Sequence, residues 1–209
     1  MVTPVKNIIF DLGGVLINLD YQLTRKAFEN LGVANFNDLY TQHHANPLFE
    51  QLEVGAIEPE AFYEALRQTT GLTLTNSQIE TAWNAMLLDF PVERLHWLSQ
   101  IKNKYNIYLF SNTNAIHYNA FIHIYEQVAP QLGLDINFEH FFTTAYYSHT
   151  LGQRKPEVAA FEAVIRDAKL DPAQTLFIDD TLLNIEGAQK AGLQTIFLSG
   201  GVTVLDLGL

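Results

Sequence analysis

Cysteine is missing from all 209 residues, which excludes disulfides, thiolate metal ligands and a cysteine nucleophile together. Positive charge is scarce: 12 Lys and Arg stand against 23 Asp and Glu, a formal net charge of −11. A nucleic-acid surface needs clustered cations, and this chain has few to cluster. Its acidity reads as a contribution to solubility. Long apolar runs are lacking too. No window approaches the roughly 20 residues of a membrane-spanning helix, and the first apolar run breaks at Asp11, too early for a secretory signal. These absences point to a cytoplasmic protein with no membrane and no nucleic-acid partner. The remaining composition, 48% hydrophobic and 17% charged with 12 Gly and 7 Pro, excludes disordered and collagen-like chains. The length suffices for one full core plus a sizeable insertion.

Short β-branched runs alternate with longer helical patterns, the signature of a parallel sheet covered by helices on both faces. Runs at Val5–Phe10, Tyr105–Phe110, Phe141–Tyr146, Thr175–Ile178 and Thr195–Leu198 read as five strands. Pro91–Asn103, Pro156–Ala168 and Leu182–Ala191 repeat apolar residues at helical spacing; the first two open on proline and the last stops at Gly192. Asn114–Glu139 reads as a helix and a loop. Residues 18–90 differ, with helical patterns at Leu23–Leu31, Asn37–His43, Pro47–Val54, Pro59–Thr69 and Ser77–Leu88 and no clear strand. The expectation is a Rossmann-like α/β core of residues 1–17 and 91–209, with an all-helical cap, residues 18–90, inserted after the first strand.

Open parallel sheets bind ligands at the carboxyl ends of their strands. Three of the five runs end there in reactive residues: Asp11, Ser111-Asn112 and Asp179-Asp180. Gly152-Gln153-Arg154-Lys155-Pro156 adds a loop lysine ahead of a helix. One strand ending in Asp is unremarkable, but three polar tips with a lysine in this order are harder to reach by chance.

FDLGGVL at 10–16, LFSNTN at 109–114, GQRKPE at 152–157 and FIDDTLLNIEGA at 177–188 resemble, in order, the four motifs of the haloacid dehalogenase-like hydrolases. The helical insertion resembles their cap. FDLGGVL, the cap segment Phe49–Ile57 and the Asp pair are most similar to the sugar-phosphate subgroup, the α-glucose-1-phosphate phosphatase-like members; the N-terminal domains of soluble epoxide hydrolases look similar too. The resemblance implies a Mg²⁺-dependent phosphatase acting on a small phosphorylated metabolite, as a monomer or homodimer. Asp11 is then the nucleophile that becomes an aspartyl phosphate. A dianionic phosphoester repels a carboxylate, so a cation and fixed donors must surround the transferring group. Asp11, Asp180 and the Gly13 carbonyl are the expected Mg²⁺ ligands, with Asp179 as a further one directly or through water. Ser111, Asn112 and the backbone N–H groups of residues 12–14, Gly14 included, are the expected phosphate donors. Lys155 offsets charge on Asp11 and phosphate, Arg154 reads as a solvated neighbour, and Asn184 supports the metal site from behind.

One position departs from the family's pattern. Many of these phosphatases carry a second Asp two residues after the nucleophile, as general acid and base; here it is Gly13, as in the most similar subgroup. General acid–base help is worth about 10²–10⁴-fold, so the leaving group must be easily expelled or receive its proton elsewhere. His43, His44 and Asp20 are outside candidates for that. The cap holds three cations (Arg25, Lys26, Arg67) against ten acids, which suits a neutral sugar or polyol better than a leaving group with extra negative charge. Three other readings compete: a metal-independent dehalogenase, opposed by Asp179-Asp180; a phosphomutase, opposed by Gly13; and a silent module binding a phosphometabolite or a protein, opposed by the retained Asp11, Ser111, Lys155 and Asp180.

Overall fold

The computed structural model describes residues 4–41 and 44–209. Five parallel strands form the central sheet: β1 (Asn7–Phe10), β4 (Asn106–Ser111), β5 (Thr144–Tyr147), β6 (Thr175–Asp179) and β7 (Gln194–Phe197), in the order β5-β4-β1-β6-β7. The chain leaves the central β1 on one side and returns to its other side, so a crevice opens above the β1 tip. Register decides what meets there. Phe10 lies beside both Leu109 and Ile178, which brings Asp11, one residue on, level with Asp179. The Asp11 N–H donates to the Ile178 carbonyl at 2.9 Å and fixes that alignment.

Alternation along β1 sends Ile8 and Phe10 to one face and Ile9 to the other. The first face packs on α5 (Val92–Ile101) and α6 (Ala115–Val128) through Leu95, Leu98, Phe121 and Tyr125. The second packs on α8 (Val158–Asp167) and α9 (Leu182–Lys190) through Phe161, Val164, Ile185 and Ala188. Helix α6 begins where Asn114, the last residue of the LFSNTN segment, accepts from the Ile116 and His117 N–H groups at 3.1 and 3.0 Å. That is an N-cap satisfying two donors the helix cannot.

A separate hydrophobic cluster holds the inserted region. It is built on α1 (Tyr21–Asn30), α2 (Pro47–Glu53), α3 (Pro59–Thr70) and α4 (Asn76–Asn84), with Phe28, Phe49, Phe62 and Trp83 buried together. Asn46 caps α2 with Pro47 at the first position, and Thr75 with Gln78 forms a capping box on α4. The region is not wholly helical, however. The stretch expected as a helix at 37–43 gives a single 3-10 turn, Phe36–Asp38, followed by a two-stranded antiparallel hairpin, β2 (Tyr40–Thr41) and β3 (His44–Ala45). Aromatic burial outweighs helical periodicity here: Phe36 stacks on Phe28 at 4.4 Å, and Tyr40 meets Trp83 edge-on at 4.6 Å. Among the described residues no helix is long and apolar enough to cross a membrane.

Candidate active site

The strand tips converge as the register requires. Lys155 lies on the loop between α7 (Ser148–Leu151) and α8, and its Nζ donates to Asp11 Oδ1 at 2.7 Å and Asp179 Oδ2 at 2.8 Å. The ammonium is buried, at 1% exposure, and sits 5.4 and 5.3 Å from the ring centroids of Phe110 and Phe177. Burial alone would lower its pKa, but the two carboxylates outweigh that and hold it above the ordinary lysine value. Its backbone is equally fixed. The Asn112 side chain accepts from the Lys155 N–H at 2.9 Å and donates to its carbonyl at 2.8 Å. Asn112, expected as a phosphate donor, thus spends its carbonyl oxygen and one N–H on positioning the lysine. Ser111 is buried at the tip of β4, with only a 3.4 Å contact from its Oγ to the Asn112 carbonyl.

Asp179 is fully engaged. Oδ1 accepts from the Thr181 N–H at 2.7 Å, Oδ2 accepts from Lys155, and the Asn184 amide reaches both oxygens at 3.1 and 3.0 Å. It is 0% exposed and orders its neighbours. Asn184, expected behind the metal site, bonds Asp179 alone among the three acids in the bonds described. Asp180 is freer, its Oδ1 accepting only a 3.3 Å bond from the Thr181 hydroxyl among those resolved.

One oxygen each from Asp11, Asp179 and Asp180 lies within 4.8 Å of the others. Burial first, with Asp179 and Asp180 adding to it and Lys155 opposing, pushes Asp11 up to about 7. Burial and Asp179 likewise raise Asp180. Three carboxylates against one ammonium leave the cluster short of positive charge. An all-oxygen donor set with that deficit fits a hard divalent cation such as Mg²⁺, which Asp11 and Asp180 would hold with Asp179 behind them.

The glycines of the first motif serve approach more than donation. The Gly14 N–H, expected among the phosphate donors, is spent on the Ile17 carbonyl at 2.9 Å. Gly14 has φ of +71°, and a Cβ there would stand 2.3 Å from Asp180 Oδ2, so only glycine lets this turn pass beneath the acid. At Gly13 a Cβ would stand 2.6 Å from Leu19 Cδ1. An apolar side chain therefore occupies the space beside this position.

A cavity of about 130 Å³ lies over this cluster. Asp11, Lys155 and Asp180 form its floor, while Leu19, Tyr21, Tyr40 and Glu53 close it from the inserted region. The last three were not singled out in the sequence, although a signal existed: Phe49, Leu52 and Glu53 share the buried face of α2, and an acid on an apolar face is a local inconsistency. Arg154 is not a solvated neighbour. It lines the cavity and reaches across to Glu50 at 3.3 Å and Glu53 at 3.1 Å. Of the outside proton donors, Asp20 is the N-cap of α1, accepting from the Gln22 N–H at 2.9 Å. His43 lies outside the described residues, and His44 falls on β3, not on a helix.

Comparison with known proteins follows the same line. The family described as haloacid dehalogenase-like hydrolase matches residues 5–192. D-ribitol-5-phosphate phosphatase of Bacteroides thetaiotaomicron is 29% identical over 194 residues, covering 91% of this chain and 90% of that protein. The sesquiterpene phosphatase astK of Aspergillus oryzae is 25% identical over 211 residues, covering 99% and 97%. Among solved structures, the wild-type HAD-family enzyme BT-2542 of B. thetaiotaomicron, in complex with magnesium and inorganic phosphate, superposes with a TM-score of 0.84 at 34% identity, covering 98% of this chain and 100% of that one.

Proposed function

This chain belongs to the haloacid dehalogenase-like hydrolases and is a phosphomonoester hydrolase among them, and we propose that it is a Mg²⁺-dependent phosphatase of small sugar or sugar-alcohol phosphates. One observation carries the reading: Asp11, Asp179 and Asp180 gather within 4.8 Å around a buried Lys155, under a small cavity. In it, Asp11 attacks phosphorus in line as the ester P–O bond breaks, the alcohol leaves with a proton from water, and a second water hydrolyses the aspartyl phosphate to inorganic phosphate and free Asp11. Lys155 offsets negative charge on Asp11 and on the phosphoryl oxygens, and Asp179, Asn184 and Asn112 keep it from swinging away. Ser111 donates to a phosphoryl oxygen. The bound cation supplies further positive charge where charge develops.

Support for the leaving-group class comes from three sides. A cavity of about 130 Å³ over Asp11 takes a phosphoryl group and a short polar fragment. Glu53, the acid that the inserted region adds to the wall, disfavours extra negative charge beside it. D-ribitol-5-phosphate phosphatase, a relative by sequence, acts on a neutral polyol bearing one phosphate. The test is a phosphatase screen with Mg²⁺, with and without chelator, beside Asp11→Asn. Activity is expected to need the metal and to vanish in the variant, with hexose and polyol monophosphates ahead of nucleotides and bisphosphates. Turnover that survives both chelation and Asp11→Asn would refute the mechanism.

A further inference from the structure

The wall of the cavity opposite Asp11 contains an unresolved polar contact. Arg154 Nε and Glu53 Oε2 stand 3.1 Å apart, within ion-pair distance, yet neither atom has a hydrogen bond of acceptable geometry, and both are buried. The rest of each group is anchored. Glu53 Oε1 accepts from the Tyr40 hydroxyl at 3.1 Å, and Arg154 Nη1 donates to Glu50 at 3.3 Å. Buried polar atoms left without an aligned partner are uncommon and costly, so they call for a reason. A donor and an acceptor that meet by charge but out of line, on residues that line the cavity, define chemically the partner that would align both. It must accept from Arg154 and donate to Glu53 at one atom.

We propose that Glu53 and Arg154 form the subsite that reads a hydroxyl of the leaving group, a specificity role that rests on the phosphatase reading above. A hydroxyl is both donor and acceptor. Once the two side chains part to admit it, its O–H points to Glu53 Oε2 while its oxygen accepts the Arg154 Nε–H, replacing a misaligned contact with two aligned bonds. A second phosphate or a carboxylate has no proton for Glu53 and meets its negative charge. An ammonium has no lone pair for Arg154. A purely apolar chain leaves both atoms as they are, without the gain. Tyr40 holds Glu53 in place, since its ring is packed among Trp83 and Phe49 and its hydroxyl is directed at Oε1. The subsite joins the two parts of the molecule, with its acceptor on the inserted region and its donor next to Lys155.

The experiment compares ribitol 5-phosphate with n-pentyl phosphate, which has the same primary alkyl ester but no hydroxyl, across wild type, Glu53→Gln and Tyr40→Phe with Mg²⁺. The readout is the ratio of the two kcat/KM values, so a variant that merely folds poorly lowers both and leaves the ratio alone. Glu53→Gln is expected to cut the ratio about 10- to 100-fold, the range for losing a charged partner to a substrate hydroxyl, and Tyr40→Phe by a smaller factor of the same sign. A ratio within about threefold of wild type in Glu53→Gln overturns the subsite while leaving the phosphatase reading intact. Failure of wild type on both esters overturns that reading and the subsite with it.

Discussion

Gly187 tests how tightly the fold governs the chemistry, because it lies on α9 and never touches the cavity. A Cβ at this position would stand 2.2 Å from the Pro156 carbonyl oxygen and 3.0 Å from Phe161 Cε2. Phe161 can tilt, but the carbonyl is backbone, one residue from Lys155. Reaching ordinary contact from 2.2 Å requires the loop and α9 to part by roughly 1 Å. The Lys155 ammonium is held by bonds of 2.7 and 2.8 Å to Asp11 and Asp179, and a displacement of that size takes both out of hydrogen-bond range. Losing the alignment of one charge-assisted bond costs about 1.5–3 kcal/mol, which is roughly 10- to 100-fold in kcat/KM when the loss falls on the transition state. Gly187→Ala is therefore expected to lower kcat/KM on phenyl phosphate by that factor, beside a stability loss of about 1–3 kcal/mol from overpacking. The assay is steady-state turnover with saturating Mg²⁺ at a temperature well below the melting transition of the variant, so that unfolding does not contribute. Full activity in a folded Gly187→Ala protein would show that the lysine loop adjusts without disturbing the site.

Two further expectations concern the junction of the inserted region and the core. His117 is buried against Trp83, its Nε2–H donating to the Trp83 carbonyl at 3.2 Å, and burial pushes its pKa down to about 4. The unfolded chain binds this proton near pH 6.5 and the folded protein only near 4, so the neutral ring's stability is complete above 6.5 and falls away between those values, by about 3 kcal/mol in all. Urea midpoints between pH 7 and pH 4.5 should therefore drop less in His117→Phe than in wild type, and parallel curves would argue against this origin. Gly13→Asp alone should impair the enzyme, since its Cβ meets Leu19 Cδ1 at 2.6 Å; Gly13→Asp with Leu19→Ala makes room for the side chain. The double variant should recover turnover and gain up to about 10²-fold on alkyl phosphates, which need a proton to leave, and no gain over Gly13→Asp alone would discount Leu19 as the obstacle.

Strand tips were legible in the sequence because a parallel sheet converts order along the chain into neighbourhood in space. Apolar runs that end in Asp11, Ser111 and Asp179 must place those residues together once register is set, and the pairing of Phe10 with Leu109 and Ile178 sets it. The prolines near the helix starts are similarly local. What escaped was long-range. The periodicity of residues 37–43 favours a helix, but Tyr40 turns toward Trp83 and Phe49, 43 and nine residues away, and the hairpin follows from that packing. Arg154 reads as exposed beside a turn until α2 is laid over it. Nothing nearby in sequence announces that Glu50 and Glu53 are its partners, about a hundred residues distant.

The charge arrangement of the site explains why its supports are so many. Three acids and a lysine brought out of water repel and attract over distances where weak screening makes small displacements costly. Nothing in the packing of aliphatic side chains would hold such a group, so three of its four members are tied to backbone or amide: Lys155 through Asn112, Asp179 through Thr181 and Asn184, and the Asp11 main chain through Ile178. The deficit of positive charge is not removed by these ties; it is held open at Asp11 and Asp180, on the side facing the cavity. A cation binding there with a phosphoester relieves repulsion that folding alone leaves in place, and so binding energy is available at the atoms that react. By the same logic, stabilising the metal-free protein by neutralising Asp180 would weaken the reason for the cation to bind, and stability and turnover should move in opposite directions at that residue.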